Sequence, residues 1–129
     1  MKAILSSLLV LLFALPSQAR LGETLKELKR RYGQPINAEN AKETHTTHYS
    51  FYWEQYVIEV TLEEGRSVSE QYTRQNRRDF SLQEVRLLLE ESSPGLAWTQ
   101  VDGSNWKQQD RVATWTGKAL VVQEKQRAR

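Results

Sequence analysis

Two kinds of hydrophobic periodicity alternate along this chain, and their order predicts two helix-then-strands units. Beyond residue 20 the first pattern is helical: Leu25, Leu28 and Tyr32 recur on one face, with Lys26, Lys29, Arg30 and Arg31 on the others. Thr24 and Glu27 have capping-box spacing, in which the threonine oxygen accepts a first-turn N–H and the glutamate reaches back. Gly33 and Pro35 stop this helix, whose basic last turn suits the negative end of its dipole. A polar stretch over 37–47 follows, and then the period falls to two. Tyr49, Phe51 and Trp53 alternate with Ser50, Tyr52 and Glu54, and Tyr56, Ile58, Val60 and Leu62 alternate with Val57, Glu59, Thr61 and Glu63. Turns are expected at Glu54-Gln55 and Glu64-Gly65. A third strand over 66–73 has a less clean inner face, because Glu70 lies between Val68 and Tyr72.

The pattern then repeats. A loop over 74–79 leads to Phe80-Ser81-Leu82-Gln83-Glu84, a second capping box with Phe80 placed to staple onto Val85. Leu82, Val85, Leu88 and Leu89 form the apolar face of this helix, and Ser92-Ser93-Pro94-Gly95 ends it. Strands are expected over 96–100, 106–109, 112–116 and 119–124, the last two joined by a Gly117-Lys118 hairpin loop. The units run over about 22–73 and 80–124; their helix starts are 57 residues apart and their hairpin glycines, Gly65 and Gly117, 52 apart. Either unit alone would expose a sheet face. The expected fold is therefore an α+β two-layer sandwich: two units of a helix then antiparallel strands, forming one sheet covered by the helices.

Residues 1–19 change the setting of this domain. Lys2 supplies a positive start, residues 3–15 an apolar core, and Ser17-Gln18-Ala19 small residues at the −3 and −1 positions of a cleavage site. They read as a signal peptide cleaved after Ala19, which predicts a periplasmic or secreted product with no stable membrane anchor. Residues 20–129 are expected to form a single domain. With no cysteine there is no disulfide framework, thiolate metal site or lipid-bearing cysteine. Without Lys2 there are 17 basic against 16 acidic side chains, so no global field favours nucleic acid.

A family pattern emerges from Gly22-x-Thr24, the helix, Tyr32-Gly33-x-Pro35, the aromatic strand and the run Val57-Ile-Glu-Val-Thr-Leu-Glu-Glu-Gly65-Arg-x-Val68. It resembles the small exported domains grouped with the outer-membrane assembly lipoproteins and the beta-lactamase inhibitor protein. The resemblance covers 22–73 best and 81–124 by repetition. It implies a two-layer α/β sandwich that works by protein–protein contact, with no catalytic residues to carry over. The chain lacks both the lipidated cysteine of the first branch and the disulfides and greater length of the second, so neither specific activity transfers.

The residues offer little chemistry of their own. His45 and His48 are the metal candidates, but three residues apart on an extended segment they point to opposite faces, and no third ligand is apparent; no metal and no cofactor are expected. There is no nucleophile elbow and no glycine-rich phosphate loop. Glu27 and Glu84 are accounted for as helix caps, and Glu54, Glu63 and Glu64 as turn residues. What remains is binding. Tyr52, on the Ser50/Glu54 side of its strand, and Trp106, among Asn105, Lys107 and Gln108, are the expected exposed aromatics; Arg74, Arg77 and Arg78 form a basic loop. The expected function is non-enzymatic binding of a protein partner in the cell envelope. An acidic glycan or lipid head group is the alternative ligand, and a small metal-dependent hydrolase using His45, His48 and nearby glutamates the remaining one.

Overall fold

The run Tyr56-Val-Ile-Glu-Val-Thr-Leu-Glu63 sets the architecture, because its strict alternation buries Tyr56, Ile58, Val60 and Leu62 on one face and sends Glu59 and Glu63 to the other. The computed structural model describes residues 21–41 and 43–125. It contains helix α1 (Leu25–Tyr32), strands β1 (Asn37–Ala41), β2 (Thr46–Trp53), β3 (Tyr56–Glu63) and β4 (Arg66–Arg74), helix α2 (Leu82–Ser92), and strands β5 (Thr99–Asp102), β6 (Asn105–Lys107), β7 (Arg111–Trp115) and β8 (Ala119–Glu124). All eight strands join one antiparallel sheet in the order β1-β2-β3-β4-β8-β7-β6-β5.

This corrects the expected two-layer α+β sandwich. The described residues are dominated by a single eight-stranded sheet, and among them two short helices form no layer to match it. The reason is length. Helices of 8 and 11 residues are about 12 and 16 Å long, whereas seven strand spacings make a sheet about 34 Å across. The helices cover only parts of one face, and aromatic side chains fill much of the rest. Tyr32 packs against Phe51 and Trp53, with centroids 5.5 and 5.9 Å away, and Trp53 stacks on Tyr56, which meets Phe80 edge-on at 5.9 Å. Ile58, Val60, Tyr72, Leu120 and Val122 of the sheet and Leu28, Val85, Leu88 and Leu89 of the helices belong to the same core.

The repeated order of helix and four strands is built into the register. The last strands of the two halves, β4 and β8, pair antiparallel, and Glu70 lies opposite Val122. Those two residues are 52 apart, the same offset as Gly65 and Gly117, so an approximate two-fold axis relating the halves passes through this pair. The halves are also tied alike ahead of each helix. The Gly22 N–H donates to the carbonyl of Ser67, and the Phe80 N–H to that of Gly117.

Three local outcomes differ from the sequence reading. The polar stretch over 37–47 contains β1, an edge strand with no buried residue, so no apolar alternation marks it. In β4 a bulge opposite Thr61 and Leu62 lets Ser67 take the inward position instead of Val68. Its hydroxyl oxygen accepts from the Gly22 and Glu23 N–H groups. The capping boxes close by half: Thr24 and Ser81 accept the N–H groups of Glu27 and Glu84. The Glu27 carboxylate, however, accepts a hydrogen bond from the Thr24 hydroxyl, and that of Glu84 is engaged elsewhere.

Candidate functional site

Both described helices pack on the face that carries Phe51, Ile58 and Tyr72, so among the described residues no helix lies against the opposite face of the sheet. Cross-strand register fixes its rows from β2 onward. One runs Tyr52, Val57, Thr73, Ala119; the next Ser50, Glu59, Gln71, Val121, Thr114, Asn105; the third His48, Thr61, Ser69, Gln123, Val112, Lys107. Hydroxyls, amides and valines dominate the centre. The ladders occupy backbone N–H and C=O groups in the interior strands, so a ligand here meets side chains.

Concavities lie on this side and at the ends of the sheet. Tyr52, Val57, Thr73, Arg74, Gln75, Arg77 and Lys118 line one of about 540 Å³. A second, of about 410 Å³, lies over β1–β4 and includes Glu39, His48, Glu59 and Gln71. The third, about 750 Å³, sits at the far end of the second half and includes Lys107, Asp110, Arg111 and Lys125. Tyr52 is exposed at 56 %, as its place beside Ser50 and Glu54 suggested.

Of the expected binding residues, the structure brings Tyr52, Arg74 and Arg77 into one cavity. Arg78 is exposed but outside the lining. Trp106 is corrected outright: it is 4 % exposed, because pairing with Ala113, itself opposite Val122, places the indole on the inner face despite its polar neighbours Asn105 and Lys107. Val57, Thr73, Gln75 and Lys118 are lining residues not among those expected, and Lys118 is the cation of the four, a hairpin-loop position whose neighbourhood depends on β8 pairing with β4. His45 lies exposed in the turn before β2 with φ of 54°, and the exposed His48 has Nδ1 3.0 Å from Thr61 Oγ1. Among the described residues no group of three or more His, Cys, Asp or Glu could hold a metal ion. The Ala19 cleavage site lies outside the described residues, among which no helix is long and apolar enough to cross a membrane.

Arg74 has a second role. Its Nε donates to both Glu84 oxygens at 3.1 and 3.0 Å, and its Nη2 lies 2.8 Å from Oε2. Tyr56 donates to the same oxygen at 2.6 Å and Gln55 at 3.2 Å. Burial pushes the Glu84 carboxyl up, but the Tyr56 hydroxyl and the Arg74 guanidinium outweigh it and hold the acid below its ordinary value. Burial, reinforced by Glu84, pushes the Tyr56 phenol up. This cluster ties α2 to β3 and β4. A second buried carboxylate, Glu70, accepts from Tyr72 at 2.6 Å and Tyr32 at 3.5 Å, while its Oε1 has no hydrogen-bond partner among the described residues. Burial first, then the Glu70 charge, pushes the Tyr72 phenol well up. Both carboxylates face the core side, away from the open surface.

No protein-family model matches the chain, and no curated protein matches it. A solved structure of similar fold is a cysteine-rich secretory protein from Staphylococcus aureus subsp. aureus Mu50. It superposes with a TM-score of 0.54 at 15 % identity, over 85 % of this chain and 47 % of that one. The chain thus spans about half the length of that protein, and at this identity the likeness is one of fold.

Proposed function

We propose that this is an exported, non-enzymatic binding protein that contacts a protein partner in the cell envelope through its open sheet face. The observation that carries the reading is the composition of that face. Across its two central rows, from β2 to β6, nine of the twelve side chains are hydroxyls, amides and valines, interspersed with Glu59, His48 and Lys107. A surface that mixes apolar and hydrogen-bonding side chains in this way suits contact with a protein partner, whose interfaces are about as apolar as the rest of a protein surface. Size supports it too: roughly 34 Å by roughly 17 Å is on the order of 600 Å², near the roughly 800 Å² each partner contributes to a standard interface. The family resemblance read from Gly22 to Val68 points to the same mode of action, and the leader over 1–19 supports the location.

A photo-crosslinker placed at Gln71, in the middle of the open face, should capture a defined envelope protein in living cells. The same group at Arg86, exposed on α2, should not. Identical products from both positions, or none from Gln71, would remove the proposed contact surface. Recovery of the chain from the cytosol with residues 1–19 attached would remove the exported setting.

A further inference from the structure

One end of the open face carries positive charge that the fold does not use. The cavity lined by Tyr52, Val57, Thr73, Gln75 and three cations is the place. Arg74 is neutralised there by Glu84. Arg77 and Lys118 are exposed and have no ion-pair or side-chain hydrogen-bond partner among the described residues. Asp79 comes close to Gly117, with Oδ2 3.9 Å from where a Cβ there would stand, but it is exposed and outside the lining. Arg77 is further held in the left-handed region at φ of 61°, where its N–H donates to the Arg74 carbonyl and closes the turn at the cavity edge. A non-glycine residue in that conformation costs roughly 1 kcal/mol or more, which the turn must offset.

Tyr52 and Val57 are cross-strand partners, so an aromatic ring and an isopropyl group stand side by side as an apolar platform. Thr73 donates its hydroxyl to the Val57 carbonyl at 3.4 Å, and Gln75 Nε2 donates to those of Glu54 and Tyr56 at 2.9 and 3.4 Å, so beside the platform these two side chains offer oxygen acceptors. Backbone pairing cannot recruit a ligand here, because β2, β3, β4 and β8 are all interior strands. Recognition must come from a ring face, hydrogen-bonding side chains and two free cations. That set fits a ligand that brings its own ring, its own hydroxyls and a negative charge.

We propose that this cavity binds an acidic sugar, with its ring laid on Tyr52 and Val57 and its carboxylate or phosphate between Arg77 and Lys118. The proposal is independent of the protein-contact reading, since it concerns one end of the face and needs no partner protein. Arginine offers a fork of N–H donors to such an anion and lysine a point charge, while the tyrosine ring favours a ligand with an apolar face.

The test is an NMR titration of the purified, isotope-labelled protein with four probes: trigalacturonic acid, glucosamine 1-phosphate, neutral maltotriose and inorganic phosphate. At least one charged sugar should shift Tyr52, Val57, Thr73, Gln75, Arg77 and Lys118 together, with an affinity that falls as salt rises, whereas maltotriose should not. Which charged sugar binds tells carboxylate from phosphate recognition. Replacing both Arg77 and Lys118 by alanine should weaken binding about tenfold or more, and Tyr52→Ala several-fold, with unchanged thermal unfolding. Absence of binding by both charged sugars at millimolar concentration would overturn the proposal. So would shifts centred elsewhere, affinities indifferent to these substitutions, or equal binding of inorganic phosphate alone, which would show that the ring is not read.

Discussion

The two halves of the sheet share an order of elements and reach it with unequal material. In the first, β2, β3 and β4 have 8, 8 and 9 residues and the preceding helix buries only Leu28 and Tyr32. In the second, β5 to β8 have 4, 3, 5 and 6 residues, and the helix buries Glu84, Val85, Leu88, Leu89 and Ser92. Where strands are long, ladder pairing and cross-strand contacts carry the structure. Where they are short, an apolar helix supplies the burial. The second helix also crosses the boundary, since Phe80 and Glu84 engage Tyr56 and Arg74 of the first half. The halves are therefore joined twice, by β4 pairing with β8 and by α2 docking onto β3 and β4.

That contrast can be broken at the docking point. Phe80→Ala removes a side chain 4 % exposed between the halves and should cost about 3–5 kcal/mol in urea denaturation. A loss below about 1 kcal/mol would mean the strand pairing alone joins them. Glu84→Gln tests the polar part of the same junction. Breaking a fully buried ion pair costs about 3–5 kcal/mol. Arg74 is about a quarter exposed (26 %), and water can replace part of its contact, so about 1–2 kcal/mol is expected.

The pH dependence of this junction has a definite sign. Glu84 has a folded-state pKa below its ordinary value, so its contribution is complete above the unfolded carboxyl pKa of about 4.3 and is lost as pH falls through the folded value. Acid titration of wild type and Glu84→Gln, compared by denaturant midpoint, should show a smaller loss of stability in the variant over that window.

The hairpins give a smaller effect and a check on the two-fold relation. Gly65 and Gly117 have φ of 80° and 89°; a methyl group at Gly65 would meet no atom within 4 Å, and one at Gly117 only Asp79, at 3.9 Å. Alanine at each should cost about 1 kcal/mol from backbone conformation alone, and the two costs should agree. Unequal costs in thermal or urea unfolding would show that the related hairpins are held differently. Smallest of all, Tyr52→Ala should change stability by less than about 0.5 kcal/mol, because the ring is not used by the core. A larger loss would mean the open face contributes to folding.

Much of the local structure was legible in the order of residues. Thr24 and Ser81 cap the helices, the turns at Glu54-Gln55 and Glu64-Gly65 join the long strands, and β3 buries the residues its alternation named. The candidate cavity was legible only in part: Tyr52 shows its face by parity, but Lys118 reaches it across a strand pair that no local pattern encodes. Trp106 shows the limit most plainly. In a three-residue strand a shift of one position reverses the face, and neighbours such as Asn105 and Lys107 suggest solvent while the indole is in the core.

The sequence by itself determined where helices start, where hairpins turn and which face of β3 is buried, because caps, turn residues and two-residue periodicity act over a few positions. The tertiary structure decided that β4 meets β8 in one continuous sheet, that a bulge exchanges Val68 for Ser67, and that two short helices leave one face open. It also gave Glu84 to Tyr56 and Arg74 instead of to a helix cap. Those outcomes depend on residues tens of positions apart competing for the same partners, and that competition is resolved only when the whole sheet is assembled.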